Sequence, residues 1–411
     1  MFNASTLRSF STPRGNVIRV DINGLTAWRA SRRYGFKREK ANSDPSARIT
    51  YLYDAEGMTP MSVDLTTGTP SYGSWGKFVD EVCRPVMLKN DGTVDYELDH
   101  NDQTLRLDGT ASDITNTSYG GNAMVEFRKY KWVKRYEDDD YEYVIFSDSQ
   151  WDSDYHAYAH TSINGNIRDA FYWGMFKGSM PDTSMRSIGS GTLLTEEVPE
   201  DFVFFAEANG EGYNTIYKSG WDYIADLLTL ISKSDDSQTA FGRGYVKSTN
   251  SSSLSIGTMK NKPAFCGYSN GTTDVKVLYI EGAWGNTWDL LAGLKVDTTN
   301  GFSIKMVPPY NIEGDGYAAT GIFPNNSSST AYYVDTTSCT DSYGYIPKTT
   351  NGSSSTYMCD RCSCASAGSY PVVIGGGWSN ESECGSRCMY SDSLVESGQT
   401  WISARLSYIQ P

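Results

Sequence analysis

With 411 residues and a formal net charge of −14, the chain is long enough to bury a sizeable core over two or three domains and too acidic for general nucleic-acid binding. Its 29 Tyr, 10 Trp and 39 Gly imply a β-rich, loop-rich protein, and Tyr, Ser, Gly and Asn together also suit adaptable binding surfaces. No apolar run reaches transmembrane length and the start Met1–Arg8 lacks the apolar stretch of a secretory signal, so membrane insertion is not expected, and release by a route such as cell lysis is.

Residues 1–50 hold 10 Lys/Arg against 3 Asp/Glu, and the remainder 25 against 46. This asymmetry reads as a basic N-terminal arm that docks on an acidic partner, a solvated leader being the plainer alternative. One short strand, 16–21, is expected there, and Ser31–Arg38 is the most basic part. Residues 51–195 read as a β-rich domain. Strands are expected at 141–146 and 171–176, the first preceded by an acidic hairpin loop at 137–140 and the second by an Asn-Gly turn at 164–166. His156 and His160, four apart, lie in strand or loop context and are not expected to share a ligand-holding face.

The clearest helix is Ser219–Ser232, where Trp221, Ile224, Leu227, Leu228 and Ile231 recur every three or four residues behind Ser219 as N-cap. A shorter helix is expected over Pro199–Asn209, with Gly210 following its end. After residue 245 the pattern returns to short strands and polar loops, with tips at 250–253 and 325–329. Two helices among many short strands define an α+β fold.

Five of the eight cysteines, Cys359, Cys362, Cys364, Cys384 and Cys388, fall within thirty residues. Their spacing is compatible with zinc, with one or two disulfides, or with plain thiols; it is not a standard finger spacing and no His lies near, so no metal is assigned. Catalytic readings fail on residue supply. The three His (His100, His156, His160) are all upstream of the closing segment, Asp138, Asp139 and Asp140 sit in a solvated turn, and Gly375-Gly376-Gly377 precedes neither Lys-Ser/Thr nor a helix. No enzyme and no cofactor are expected.

The last forty residues run from a strand ending in Gly375-Gly376-Gly377-Trp378, through a polar segment without hydrophobic period, to Trp401-Ile402-Ser403-Ala404-Arg405-Leu406-Ser407-Tyr408. Such a bracketed segment implies a rigid frame that displays a changeable surface. The block Trp284-Gly285-Asn286-Thr287-Trp288-Asp289 resembles the signature of C-type-lectin-like domains of the formylglycine-generating-enzyme type. Phe241–Tyr245, Gly375–Trp378 and Ile402–Tyr408 are similar to the same class in phage receptor-binding proteins, whose variable segments are often diversified by retroelements. The resemblance covers residues 196–411, and a fainter likeness to tail-fibre proteins of gut-bacterial phages reaches 87–96 and 118–124.

The resemblance implies a basic arm (1–50) for virion attachment, a β-rich domain (51–195), and a C-type-lectin-like ligand-binding domain (196–411) with two helices and short twisted strands. Ligand contacts are then expected from Ser379, Asn380, Glu381, Glu383, Arg387, Met389, Tyr390, Ser391, Asp392 and Ser393, with Tyr357, Asp360 and Arg361 alongside. Trp284, Gly285, Asn286, Trp288, Gly376, Trp378, Trp401 and Arg405 form the frame, Trp378 and Trp401 as core anchors and Arg405 as a structural partner. The expected role is a phage tail fibre or receptor-binding adhesin in the virion, a homotrimer, holding a bacterial surface protein or glycan and contacting other virion proteins through its arm. The alternative is a head-decoration, head-fibre or tail-assembly protein that buries the same face.

Overall fold

A computed structural model describes residues 8–11, 17–20, 31–323, 333–365 and 368–411. The loop tip at 325–329 and most of the arm before residue 31 lie outside these. The protein is β-rich with few helices, and three larger sheets carry it. A four-stranded antiparallel sheet runs Trp132–Glu137, Tyr141–Ser147, Arg33–Glu39, Ile49–Tyr53. A six-stranded antiparallel sheet runs Tyr213–Thr215, Leu406–Tyr408, Ala170–Gly174, Gly121–Arg128, Cys83–Lys89, Val94–Glu97. The third is built around the long strand Trp288–Asp297, which pairs antiparallel with Ser369–Ile374 and parallel with Ile402–Ser403.

The sheets draw strands from both sides of positions 50 and 195. Arg33–Glu39, read as arm, is an interior strand paired on both sides. Its Arg38 is buried, donating from Nη1 to Glu142 at 2.6 Å and from Nε and Nη2 to Asp235 at 2.7 and 2.8 Å. A charge run is normally solvated, but here the carboxylates that neutralise it come from strands and loops far along the chain. The six-stranded sheet likewise takes strands from both sides of residue 195, and one contiguous apolar core extends from Tyr34 to Ile409.

The central helix spans Lys218–Ser232 and every residue in it is buried. It begins at Lys218 with Tyr217, two residues before the expected Ser219 cap, in the N-cap position, and the Tyr217 hydroxyl donates to the Ala159 carbonyl at 2.7 Å. Its apolar stripe meets the sheets, and its polar stripe is also internal. Lys218 pairs with Asp222, Arg135 with Asp226 at 2.8 Å, and Arg387 with both carboxylates. The second helix, Pro199–Glu207, stops two residues short of the expected Asn209. The Asn209 amide donates instead to the carbonyls of Met185 at 2.7 Å and Ala206 at 3.0 Å, closing the helix end with a side chain. His160 is buried edge-on against Phe171 and Tyr223, whereas His156 stacks on Tyr158, so the two histidines serve different packings. Among the described residues no helix is long and apolar enough to cross a membrane.

Candidate functional site: an aromatic groove on the closing segment

The frame of the site is set by backbone that only particular residues tolerate. Gly375 and Gly376 turn the chain out of strand Ser369–Ile374 with φ of 89° and 92°. A Cβ on Gly376 would lie 2.3 Å from the Cys384 sulfur, so this glycine is required twice over. Asn286, at φ 65°, accepts the Leu254 N–H at 2.8 Å, and the buried Trp284 indole donates to the Gly242 carbonyl at 3.1 Å. Arg405 is fully internal, bonded to Asp289 at 3.3 Å and to the carbonyls of Gly174, Glu281 and Gly282. Arg405 thus ties the closing strand to Asp289 of the strand Trp288–Asp297, while Trp284 and Asn286 fasten the turn before that strand to Gly242 and Leu254.

On that frame the segment 377–401 forms a groove of about 270 Å³ lined by Trp288, Arg361, Gly377, Trp378, Ser379, Asn380, Tyr390 and Trp401. The rings are arranged in a file, with Trp288 to Tyr390 at 5.6 Å and Tyr390 to Trp401 at 5.8 Å, nearly perpendicular. Arg361 reaches over Tyr390 at 5.8 Å and is held by Glu383 at 2.6 Å. Asn380 accepts the Gly377 N–H at 2.9 Å, which shapes the turn that carries Ser379. Burial raises the Tyr390 phenol, and its hydrogen bond to Asp392 raises it further, so the hydroxyl stays protonated and points its proton at that carboxylate. The groove offers flat apolar ring faces with a guanidinium, an amide and a hydroxyl at the edges. Flat rings edged by polar groups suit non-covalent contacts to a ligand.

Tyr390 is presented because strand Met389–Ser391 alternates: Met389 and Ser391 face the core and Tyr390 faces out. Of the residues expected at the ligand face, the groove gathers Ser379, Asn380, Tyr390 and Arg361. Glu381, Glu383, Asp392, Ser393 and Tyr357 are exposed or half-buried but do not line it. Four of the expected contact residues are buried. Met389 and Ser391 are turned inward by the alternation just described. Asp360 is buried and accepts the Arg387 N–H at 2.6 Å. Arg387 lies beneath the central helix, 3.1 Å from Asp222 and paired with Asp226. Trp378 and Trp401, expected as core anchors, are half-buried walls of the groove, and Trp288 forms its floor. Aromatic residues at both ends of a polar segment were the signal for this role.

All eight cysteines are free thiols, with Cys362 and Cys364 sulfurs 3.8 Å apart. Burial pushes the Cys384 and Cys388 thiols well up, so they pack as neutral groups. Among the described residues no group of three or more His, Cys, Asp or Glu side chains is placed to hold a metal ion.

No protein-family model matches the chain, and comparison with curated proteins finds no match. Among solved structures it is similar to the U1, M1 and P3c variants of the Major Tropism Determinant, at 11, 11 and 12% identity. Each alignment covers 80% of this chain and 72% of the other, with a TM-score of 0.29.

Proposed function

We propose that the protein is a phage virion adhesin, a tail fibre or receptor-binding protein whose C-type-lectin-like region attaches the particle to a bacterial surface receptor. The observation that carries this reading is the aromatic groove: the half-buried Trp378, Tyr390 and Trp401 over a buried Trp288, with Arg361, Ser379 and Asn380 at the edges, line an open surface that a structural protein has reason to cover. The block at 284–289, which resembles C-type-lectin-like domains of the formylglycine-generating-enzyme type, and those at 375–378 and 402–408, which resemble phage receptor-binding proteins, supply the same frame. A groove of this size makes a modest single contact, so attachment rests on several copies per particle, with a homotrimer as the proposed unit.

The test is attachment of the purified full-length chain, presented on beads, to a panel of bacterial strains. Tyr390→Ala should lower binding to the positive strain at least tenfold without altering the circular dichroism spectrum. Equal binding by wild type and variant would remove the groove from the mechanism. Absence of binding to every strain, together with a groove covered in the assembled particle, would favour an assembly role.

A further inference from the structure

A second groove, of about 300 Å³, shares no residue with the aromatic one. Its lining includes Ile163, Tyr213, Tyr217, Tyr310 and Ile409, two carboxylates, Glu207 and Glu211, and no Lys, Arg or His. The walls are fixed before anything binds. The Tyr213 hydroxyl donates to the Lys89 carbonyl at 3.1 Å, the Tyr217 hydroxyl to that of Ala159 at 2.7 Å, and Tyr217 stacks on Tyr310 at 5.7 Å. With both hydroxyls used, Tyr213 and Tyr217 give the groove ring surface. Gly212, at φ 91°, lets the chain pass close to the end of the closing strand, where a Cβ would stand 2.4 Å from the Ile409 carbonyl oxygen.

Apolar surface continues beyond the groove, and carboxylates follow it. Ile163 is 50% exposed, in a turn whose Ile167 is exposed as well. On the helix Pro199–Glu207, Phe204 is 66% exposed. Glu200, Phe204 and Glu207 follow at helical spacing of four and three and are all exposed. They form one stripe, about 10 Å long, that ends at the groove. Residues 187–217 contain six carboxylates and no Lys or Arg. Among the described residues Glu200, Glu207 and Glu211 form no ion pair, and the flanking cations are committed: Arg168 to the Gln410 carbonyl at 3.0 Å, Arg186 to Asp182 at 3.4 Å, and Lys218 to Asp222.

These features select the occupant. Carboxylates along an apolar strip are complementary to Lys or Arg flanking an aliphatic or aromatic side chain. A small amine would meet the carboxylates and leave Phe204 and Ile163 in water. A second copy meeting this face with the same face, as a two-fold contact requires, would set the carboxylates against each other in a chain of net charge −14.

We infer that this face docks a basic, amphipathic segment of another protein, one apolar side chain entering the Ile163–Tyr213–Tyr310 groove while the cations beside it meet Glu200, Glu207 and Glu211. The chain then carries a protein contact that is separate from the aromatic groove. The test is fluorescence anisotropy of labelled synthetic peptides titrated with the full-length chain, the probe being a heptapeptide of alternating lysine and leucine. Wild type should bind it at least tenfold more tightly than E207K/E211K and at least threefold more tightly than the uncharged groove variant Ile163→Ser. It should bind a lysine–serine heptapeptide of equal charge at least tenfold more weakly. D139K/D140K, which makes the same change of charge in the exposed turn 137–140, should bind the probe as wild type does, and circular dichroism should be the same for all variants. No binding of the lysine–leucine peptide, equal binding of the lysine–serine peptide, or an equal loss in D139K/D140K and E207K/E211K would each overturn the inference. So would self-association of the wild-type chain that E207K/E211K abolishes, which would assign the face to a second copy.

Discussion

Arg387 was expected to touch ligand, and its structural position predicts a different phenotype. The guanidinium is 1% exposed, 3.1 Å from Asp222, paired with Asp226, and 4.5 Å over the Tyr345 ring. Arg387→Ala removes one partner from each of two buried carboxylates. Breaking a buried pair costs about 3–5 kcal/mol when the remaining charge is uncompensated. Here Lys218 still faces Asp222 and Arg135 still faces Asp226 at 2.8 Å, which places the loss near the lower end, about 3 kcal/mol. Arg387→Met, which keeps volume, should cost less. The pH dependence has a definite sign. Burial pushes the Asp226 carboxyl up, but Arg387 and Arg135 outweigh it, so its pKa lies below the ordinary 3.8. Stability from a depressed carboxyl is present above its unfolded pKa and lost as pH falls through the folded one. The gap between wild type and Arg387→Ala is therefore widest near neutrality and narrows below about pH 4. Urea denaturation followed by tryptophan fluorescence, at neutral and acid pH, measures both. A loss under about 1 kcal/mol, or a gap that persists unchanged in acid, refutes the buried-network account.

Other expectations follow from the same packing. Gly376→Ala puts a Cβ onto the Cys384 sulfur at a positive φ, and should destabilise the fold and abolish attachment together, seen as a lower melting temperature and lost cell binding. Asp360 is held well above the usual carboxyl range by burial, so ionising it opposes folding as pH rises past its unfolded value. Asp360→Asn should accordingly raise stability at pH 7 and leave it unchanged near pH 3, and an equal effect at both would contradict this. Burial lowers His160 from 6.5 to about 3, so its neutral form supports folding fully above pH 6.5 and progressively less as pH falls towards 3. The full linkage is worth roughly 5 kcal/mol, and His160→Leu should flatten the stability profile across that window in acid titrations.

What could be read in the sequence divides along local and distant causes. The helix over 219–232 was legible because apolar residues at spacing three and four survive any surroundings. Its burial on all sides was not, because Lys218, Asp222 and Asp226 look solvated until Arg135 and Arg387, 91 and 161 residues from their partner Asp226, are brought to them. The basic run at 31–38 misled for the same reason, since Arg38 finds Asp235 197 positions away. The glycine turn and bracketing tryptophans of the closing segment were legible as a frame. Which residues face out depends on a three-residue strand, Met389–Ser391, too short for its alternation to register as a period.

That alternation gives the segment 379–393 two separable tasks. Cys384, Arg387, Cys388, Met389 and Ser391 are buried, and their surroundings determine their identity: a sulfur against Gly376, a guanidinium between two carboxylates, side chains in the core. Ser379, Asn380, Glu381, Glu383, Tyr390, Asp392 and Ser393 are exposed or half-buried, and most of them can change with little effect on packing. A surface that changes its ligand must keep the first set while altering the second, because a change of one buried charge costs several kcal/mol whereas an exposed substitution typically stays within about 0.5 kcal/mol. Asn380 is the exception among the outward residues. Its side chain accepts the Gly377 N–H that shapes the turn, so replacing it alters the groove and the frame together.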